Sequence, residues 1–118
     1  MDDRFLQQLK KGVLELLVLE VICRTPTYGY QLLTTLRDRS GGLFSLKEGT
    51  LYPILYRLED DGLIASSWLA PEGRAAPKKI YAATQEGIRE AARRREIWRA
   101  FVPAVERFYK GDSAHETY

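Results

Sequence analysis

The chain has almost no cysteine or histidine, with one of each, Cys23 and His115. A lone cysteine excludes an intramolecular disulfide and a cysteine-based metal cage. Set in an apolar run, it reads as a small buried hydrophobe, in keeping with a reducing, cytoplasmic location. A lone histidine in a polar tail leaves no positioned base for a Ser/His/Asp or Cys/His arrangement. No glycine-rich phosphate loop follows a strand-like run, and the Asp60 and Asp61 pair is better explained by a helix end than by acid-base work. The expectation is a protein that is not an enzyme and that carries no cofactor and no metal. Long hydrophobic runs are missing too. The most apolar stretch, Val13 to Cys23, is interrupted by Glu15 and Glu20, whereas a bilayer span takes about 20 apolar residues. It also begins too far from the N-terminus for a signal peptide, so no membrane partner is expected. Nor is there an excess of charge: 18 Lys plus Arg against 16 Asp plus Glu leave a net charge of +2. Nucleic-acid binding would have to come from a local patch.

What is present is a single core's worth of apolar residues, 45% of 118, and a clear order of elements. Residues from about Asp2 to Arg24 form a first helix, amphipathic through Phe5, Leu6 and Leu9 and then apolar nearly all round. Arg24 to Thr27 is a turn in which Pro26 biases Thr25 away from helical angles and Thr27 serves as N-cap. A second helix follows from Tyr28, with Leu32, Leu33 and Leu36 facing inward, and Gly41 and Gly42 end it. The third helix holds Leu51, Ile54, Leu55 and Leu58 at the i, i+3, i+4, i+7 spacing of one face. Ser45 and Glu48 read as its capping box, and Gly62 as the left-handed residue of a Schellman ending. "LIASSWL" and "KKIYAAT" are strand-like runs joined by the polar loop "APEGRAAP", a β-hairpin with a long tip. Thr84 caps a last helix to Lys110, in which Trp98, Phe101, Val105 and Phe108 form a lengthwise packing seam and Pro103 introduces a bend. The tail is polar.

Three helices, a hairpin and a final helix form the order of a winged helix-turn-helix, in which the third helix enters the DNA major groove and the hairpin rides beside it. This gives a mainly α fold with a small β-hairpin: a DNA-binding unit over 1–83, a C-terminal dimerisation helix over 84–110 in the same compact body, and a disordered tail at 111–118. With the Leu51 stripe buried, the third helix presents Gly49, Thr50, Tyr52, Pro53, Tyr56 and Arg57 outward. The groups there are small or ringed, with hydroxyls for phosphates and one guanidinium for phosphate or guanine. Arg74, Lys78 and Lys79 on the wing and Tyr28 and Tyr30 at the second helix converge with that face. For Lys78 and Lys79 taken alone, a solvated strand edge fits as well as a phosphate contact. The Arg93 to Arg99 cluster reads as a solvated face with Glu90 and Glu96. The alternative is a winged helix that binds another protein; Thr50, Tyr52 and Arg57 suit phosphates and base edges better than a protein partner.

The motifs "PTYGYQLL", "EGTLYPILYRLEDDGLI" and "KKIYAATQEG" resemble, in order and spacing, the PadR family of bacterial transcriptional regulators. The single C-terminal helix is similar to that of the family's short subgroup. The resemblance runs from about Lys11 to Phe108. It implies a homodimer joined through its last and first helices, repressing genes from an inverted-repeat operator in double-stranded DNA. Residue by residue, it implies DNA proximity for Tyr28, Tyr30, Lys47, Thr50, Tyr52 and Arg57, with Lys78 and Lys79 at the wing. Two departures stand out: "YAAT", where the family commonly has a bulky leucine before the threonine, and a wing tip with Arg74 as its one arginine. Trp98 reads as a dimer-core aromatic. Some short members of the family, however, resemble multidrug sensors that stack planar compounds on a tryptophan at the matching place. That reading expects a planar aromatic effector held by Trp98, Phe101 and Val102, with Leu9 and Val13 closing the side.

Overall fold

The computed structural model describes residues 4–111. The start of the first helix at Asp2, His115 and all of the expected tail except Gly111 lie outside the described residues. Seven elements follow in order: α1 (Arg4–Arg24), β1 (Thr27–Tyr28), α2 (Gly29–Arg39), α3 (Glu48–Asp60), β2 (Ile64–Leu69), β3 (Lys78–Ala83) and α4 (Gln85–Lys110). The fold is mainly helical, and its β part is an antiparallel sheet of order β1-β3-β2. The expected hairpin is present, with the Ile64 to Leu69 strand paired to Ala83 through Lys78. A short third strand, β1, adds to its other edge through Thr27↔Tyr81 and Tyr28↔Ile80.

One core joins these elements. The apolar stripe of α3, Leu51, Ile54, Leu55 and Leu58, is buried against Val18, Leu19 and Ile22 of α1, Leu32 and Leu36 of α2, and Ile64 and Tyr81 of the sheet. Burying such side chains contributes about 1.5–3 kcal/mol each. That outweighs the two local defects in α3. Gly49 costs about 1 kcal/mol of helix propensity. Pro53 removes a bond to the Gly49 carbonyl, and because Gly49 is exposed, water can satisfy that oxygen.

The Schellman ending of α3 is as expected. Leu63 N donates to the Leu58 carbonyl and Gly62 N to the Glu59 carbonyl, both at 3.0 Å, with Gly62 at φ 75°. Thr84 caps α4 by accepting from Gly87 N at 3.0 Å, and its hydroxyl donates back to the Gly62 carbonyl at 2.7 Å. A Cβ on Gly87 would overlap the Leu63 carbonyl oxygen, so this glycine is what allows α4 to start on top of the turn between α3 and β2.

Two expected caps are corrected. Thr27 is not the N-cap of α2, a position taken by Tyr28 with no side-chain cap bond. Pairing with Tyr81 claims the Thr27 backbone, and its buried hydroxyl donates to Gln31 Oε1 at 2.8 Å. Ser45 and Glu48 form no capping box, since the N-cap of α3 is Lys47. The left-handed Gly41 and Gly42 turn the chain so that Ser45 Oγ donates to the Gly42 carbonyl at 2.9 Å, which leaves it unavailable to the helix.

The shape is elongated. The Cα radius of gyration is 17.8 Å, whereas a compact chain of this length has about 13.5 Å. The excess comes from α4, which is 26 residues long and therefore about 39 Å. It is continuous through Pro103, and only Gly87 and Ala91 of it are buried.

Candidate nucleic-acid interface

The faces of α3 follow from its rotation of about 100° per residue. Gly49, Pro53 and Tyr56 lie opposite the buried stripe and are exposed. Thr50 and Arg57 form one flank, both exposed, and Tyr52 and Glu59 form the other, both half-buried. The expectation that Tyr52 is a fully outward group therefore changes. Its hydroxyl would be 2.5 Å from a Cβ placed on Gly29, so the ring packs down on the start of α2, where only glycine leaves room. The Tyr52 and Tyr56 ring centroids are 6.3 Å apart.

Around this helix the structure gathers several of the expected residues. Tyr28 is half-buried in β1, with Lys78 Nζ 4.5 Å from its ring centroid. That arrangement ties Lys78 of the wing to the start of α2. Tyr30 is 72% exposed one residue into α2, and Lys47 is exposed at the N-cap of α3. Lys79 Nζ lies 5.9 Å from the Trp68 ring centroid and 5.7 Å from that of Tyr81. Arg74 is exposed in the loop between β2 and β3, away from α3 in sequence and with no ion-pair or hydrogen-bond partner among the described residues. Arg57 stands apart from this group. Its Nε donates to Glu15 Oε1 of α1 at 2.7 Å, so the outward guanidinium of α3 is already paired within the protein.

Several residues of the site were not singled out from sequence. Glu15 is one; its partner is 42 positions away, and no local pattern pairs them. Tyr81 is another. It is 1% exposed, and its hydroxyl is the buried side-chain polar atom without a hydrogen-bond partner among the described residues. Burial, with the fields of Tyr52, Glu59 and Tyr56, pushes its pKa up to about 12, so the phenol is neutral. Alternation along β3 separates Lys79, Tyr81 and Ala83 from Lys78, Ile80 and Ala82 but does not mark which set faces the core, because each holds one lysine.

The second expected constellation, around Trp98, is divided. Trp98 is 40% exposed beside a groove of about 220 Å³ lined also by Leu16, Glu20, Arg24, Ala91 and Arg95. Phe101 lines a separate groove of about 320 Å³ with Ala104, Val105, Phe108 and Tyr109. Val13 and Val102 are half-buried and Leu9 is 56% exposed, and none of the three lines either groove. Glu20 joins α1 to α4 by accepting from Arg95 at 2.8 Å and from Arg24 at 3.0 Å. Burial by itself would raise its pKa, but the hydrogen bonds from Arg95 and Arg24 outweigh that and hold the carboxyl below its ordinary value.

A helix with an exposed polar and ringed face, set between a glycine-fitted α2 and a lysine-bearing hairpin, matches known proteins as a whole. The pattern of the transcriptional regulator PadR-like family covers residues 18–93. The chain belongs to that family. A solved PadR family transcriptional regulator from Eggerthella lenta is 33% identical, with a TM-score of 0.78 over 92% of this chain and 91% of that one. A PadR-like regulator from Bacillus cereus is 30% identical, with a TM-score of 0.77 over 89% of this chain and 99% of its own. The Mycobacterium tuberculosis transcriptional regulator Rv3488 is 46% identical over 44 residues, 37% of this chain and 39% of that protein. PadR-like proteins are transcriptional regulators and not enzymes. Among the described residues no helix of this PadR-like chain is long and apolar enough to cross a membrane.

Proposed function

We propose that this PadR-like chain represses transcription as a homodimer that binds an inverted repeat in double-stranded DNA. The supporting observation is the uncovered apolar side of α4. Phe101 is 58% exposed, Val105 41%, Phe108 90% and Tyr109 84%, on a helix that projects from the core. A soluble monomer rarely leaves such a stripe in water, and a two-fold partner that buries it would pair two α3 helices. Each α3, with Tyr28, Tyr30, Lys47, Thr50 and Arg57 around it and Arg74, Lys78 and Lys79 on the wing, then meets one half-site. Tyr52 contributes by setting the height of α3 on α2.

The dimer also places Trp98 near its symmetry mate, and a planar aromatic effector between or beside the indoles would weaken DNA binding. Such a ligand acts only through its difference in affinity between DNA-competent and incompetent dimers. The groove beside Trp98 supports a ligand walled by Leu16 and Ala91 more than one walled by Leu9 and Val13. Mobility shift and footprinting on the gene's own upstream region test the reading. Two protected half-sites about 10 base pairs apart, or a multiple of that, are expected. Protection of one half-site alone, or none at physiological salt, refutes it. For the effector, tryptophan quenching by planar dyes should disappear in Trp98→Ala, and quenching that persists there removes the pocket.

A further inference from the structure

Trp68 is a large aromatic side chain that neither the core nor the expected dimer seam uses. It lies on β2 opposite Lys79, two positions beyond the Ser66↔Tyr81 pair and four beyond Ile64↔Ala83. Strand residues two apart share a face, so Trp68 stands on the same side of the wing as buried Ile64 and as Ser66, whose hydroxyl donates to Glu59 of α3 at 2.6 Å. That face is turned toward α3. It is buried where the hairpin meets the helix and emerges at Trp68, which is 68% exposed. Between the buried and the exposed part sits the Lys79 ammonium, 5.7 Å from the Tyr81 ring centroid and 5.9 Å from that of Trp68. Tyr56, 55% exposed, presents a further ring from α3.

We infer that Trp68 and Lys79 form a ledge on which the sugar-phosphate backbone of duplex DNA seats when α3 lies in the groove. The inference rests on the DNA-binding reading above and adds a contact to it. A nucleic-acid strand alternates an apolar sugar with an anionic phosphate, and the ledge offers a flat apolar ring followed by an ammonium, with the indole N–H as a second donor. Charge points to the same occupant. From Ile64 to Ala83 the wing carries Arg74, Lys78 and Lys79 against the single carboxylate Glu72, and the nearest carboxylate of α3, Glu59, is engaged by Ser66. Leu69, although 57% exposed, follows Trp68 directly and so lies on the opposite face of the strand, away from the ledge. Contacts to backbone carry no base information, so Trp68 contributes affinity to every duplex and not sequence choice.

The test uses the full chain labelled with 5-fluorotryptophan, which gives two fluorine resonances, with that of Trp68 assigned by its loss in Trp68→Phe. On saturation with a duplex carrying the operator, the Trp68 resonance should shift and lose its dependence on H2O against D2O. In parallel, Trp68→Ala should weaken binding to operator and unrelated duplex by the same factor, about five- to tenfold, and Trp68→Phe by less, because the ring is kept. A Trp68 resonance that keeps its solvent dependence in a saturated complex overturns the ledge while the DNA reading stands. Protection of Trp68 by protein concentration alone, without DNA, also overturns it, since a second copy of the chain is then the occupant. If no duplex binds at any salt, the DNA reading falls and takes the ledge with it.

Discussion

Replacing Arg57 by alanine separates two roles that the structure superimposes on one guanidinium. Arg57 Nε donates to Glu15 at 2.7 Å, with the two side chains 59% and 33% exposed. A pair this open to water is worth about 0.2–1 kcal/mol to the fold. A guanidinium that reaches a phosphate or a guanine edge is worth about 1–3 kcal/mol to the complex. The two magnitudes predict different behaviour in two assays. Arg57→Ala should lower unfolding stability in urea by less than about 1 kcal/mol, yet weaken operator binding by about 5- to 150-fold, measured by fluorescence anisotropy. Glu15→Gln keeps the shape of the pair and removes the competing charge. It should cost the fold as little as Arg57→Ala does, and it should leave operator affinity unchanged or raise it. Two results refute the reasoning. If Arg57→Ala destabilises the fold but binds DNA like wild type, Arg57 is a strut between α1 and α3. If Glu15→Gln weakens DNA binding as much as Arg57→Ala, the carboxylate positions the guanidinium and does not compete with the DNA.

Other substitutions probe the frame that holds α3. Gly87→Ala forces a Cβ into the Leu63 carbonyl oxygen, a backbone atom that cannot rotate away, and should cost about 3 kcal/mol or more in urea unfolding. Gly29→Ala meets the Tyr52 hydroxyl at 2.5 Å and the ring Cζ behind it at 3.2 Å, so adding Tyr52→Phe removes the closer clash and should recover part of the loss, and no recovery would mean the clash lies elsewhere. Tyr81→Phe deletes a buried hydroxyl that has no partner among the described residues and should be neutral or stabilising by up to about 1 kcal/mol; a loss of about 2 kcal/mol would show that the hydroxyl is bonded. Hydrogen bonds from Arg93 and Arg94 hold the Glu90 carboxyl at about 2, below its ordinary 4.5. Because the folded value is depressed, its contribution is complete above pH 4.5 and is lost as pH falls toward 2. Glu90→Gln should therefore be less stable than wild type at pH 7 by about 0.5–1 kcal/mol, and the two should converge as pH falls through 2.

Elements whose signals are local were legible in the sequence. The Leu51 to Leu58 stripe, the Gly62 ending and the Thr84 cap each need only neighbours within one or two turns, and each stands where the spacing places it. Features set by distant partners were not. Thr27 has the chemistry of an N-cap but is claimed by Tyr81, 54 positions on in the register. Ser45 has the spacing of a capping box but bonds back to Gly42, because the two preceding glycines are left-handed. Tyr52 falls on the polar flank of α3 by periodicity, yet a missing side chain on α2 lets it pack inward. The candidate site follows the same division. The basic and hydroxyl residues proposed around α3 and the wing were named from pattern, and Lys47 from the family resemblance alone, whereas the Glu15 partner of Arg57 and the division of the α4 aromatics between two grooves depend on where α1 lies.

Binding to an inverted repeat requires α4 to join two reading units, and sedimentation of the full chain with and without an inverted-repeat duplex tests that most directly. The wild-type protein at micromolar concentration should sediment as two chains, and its complex as two chains per duplex. Phe101→Asp combined with Val105→Asp, two changes on the exposed side of α4, should give a folded monomer that has lost operator binding. A wild-type monomer at that concentration, or a Phe101→Asp, Val105→Asp variant that binds the repeat as tightly as wild type, contradicts it.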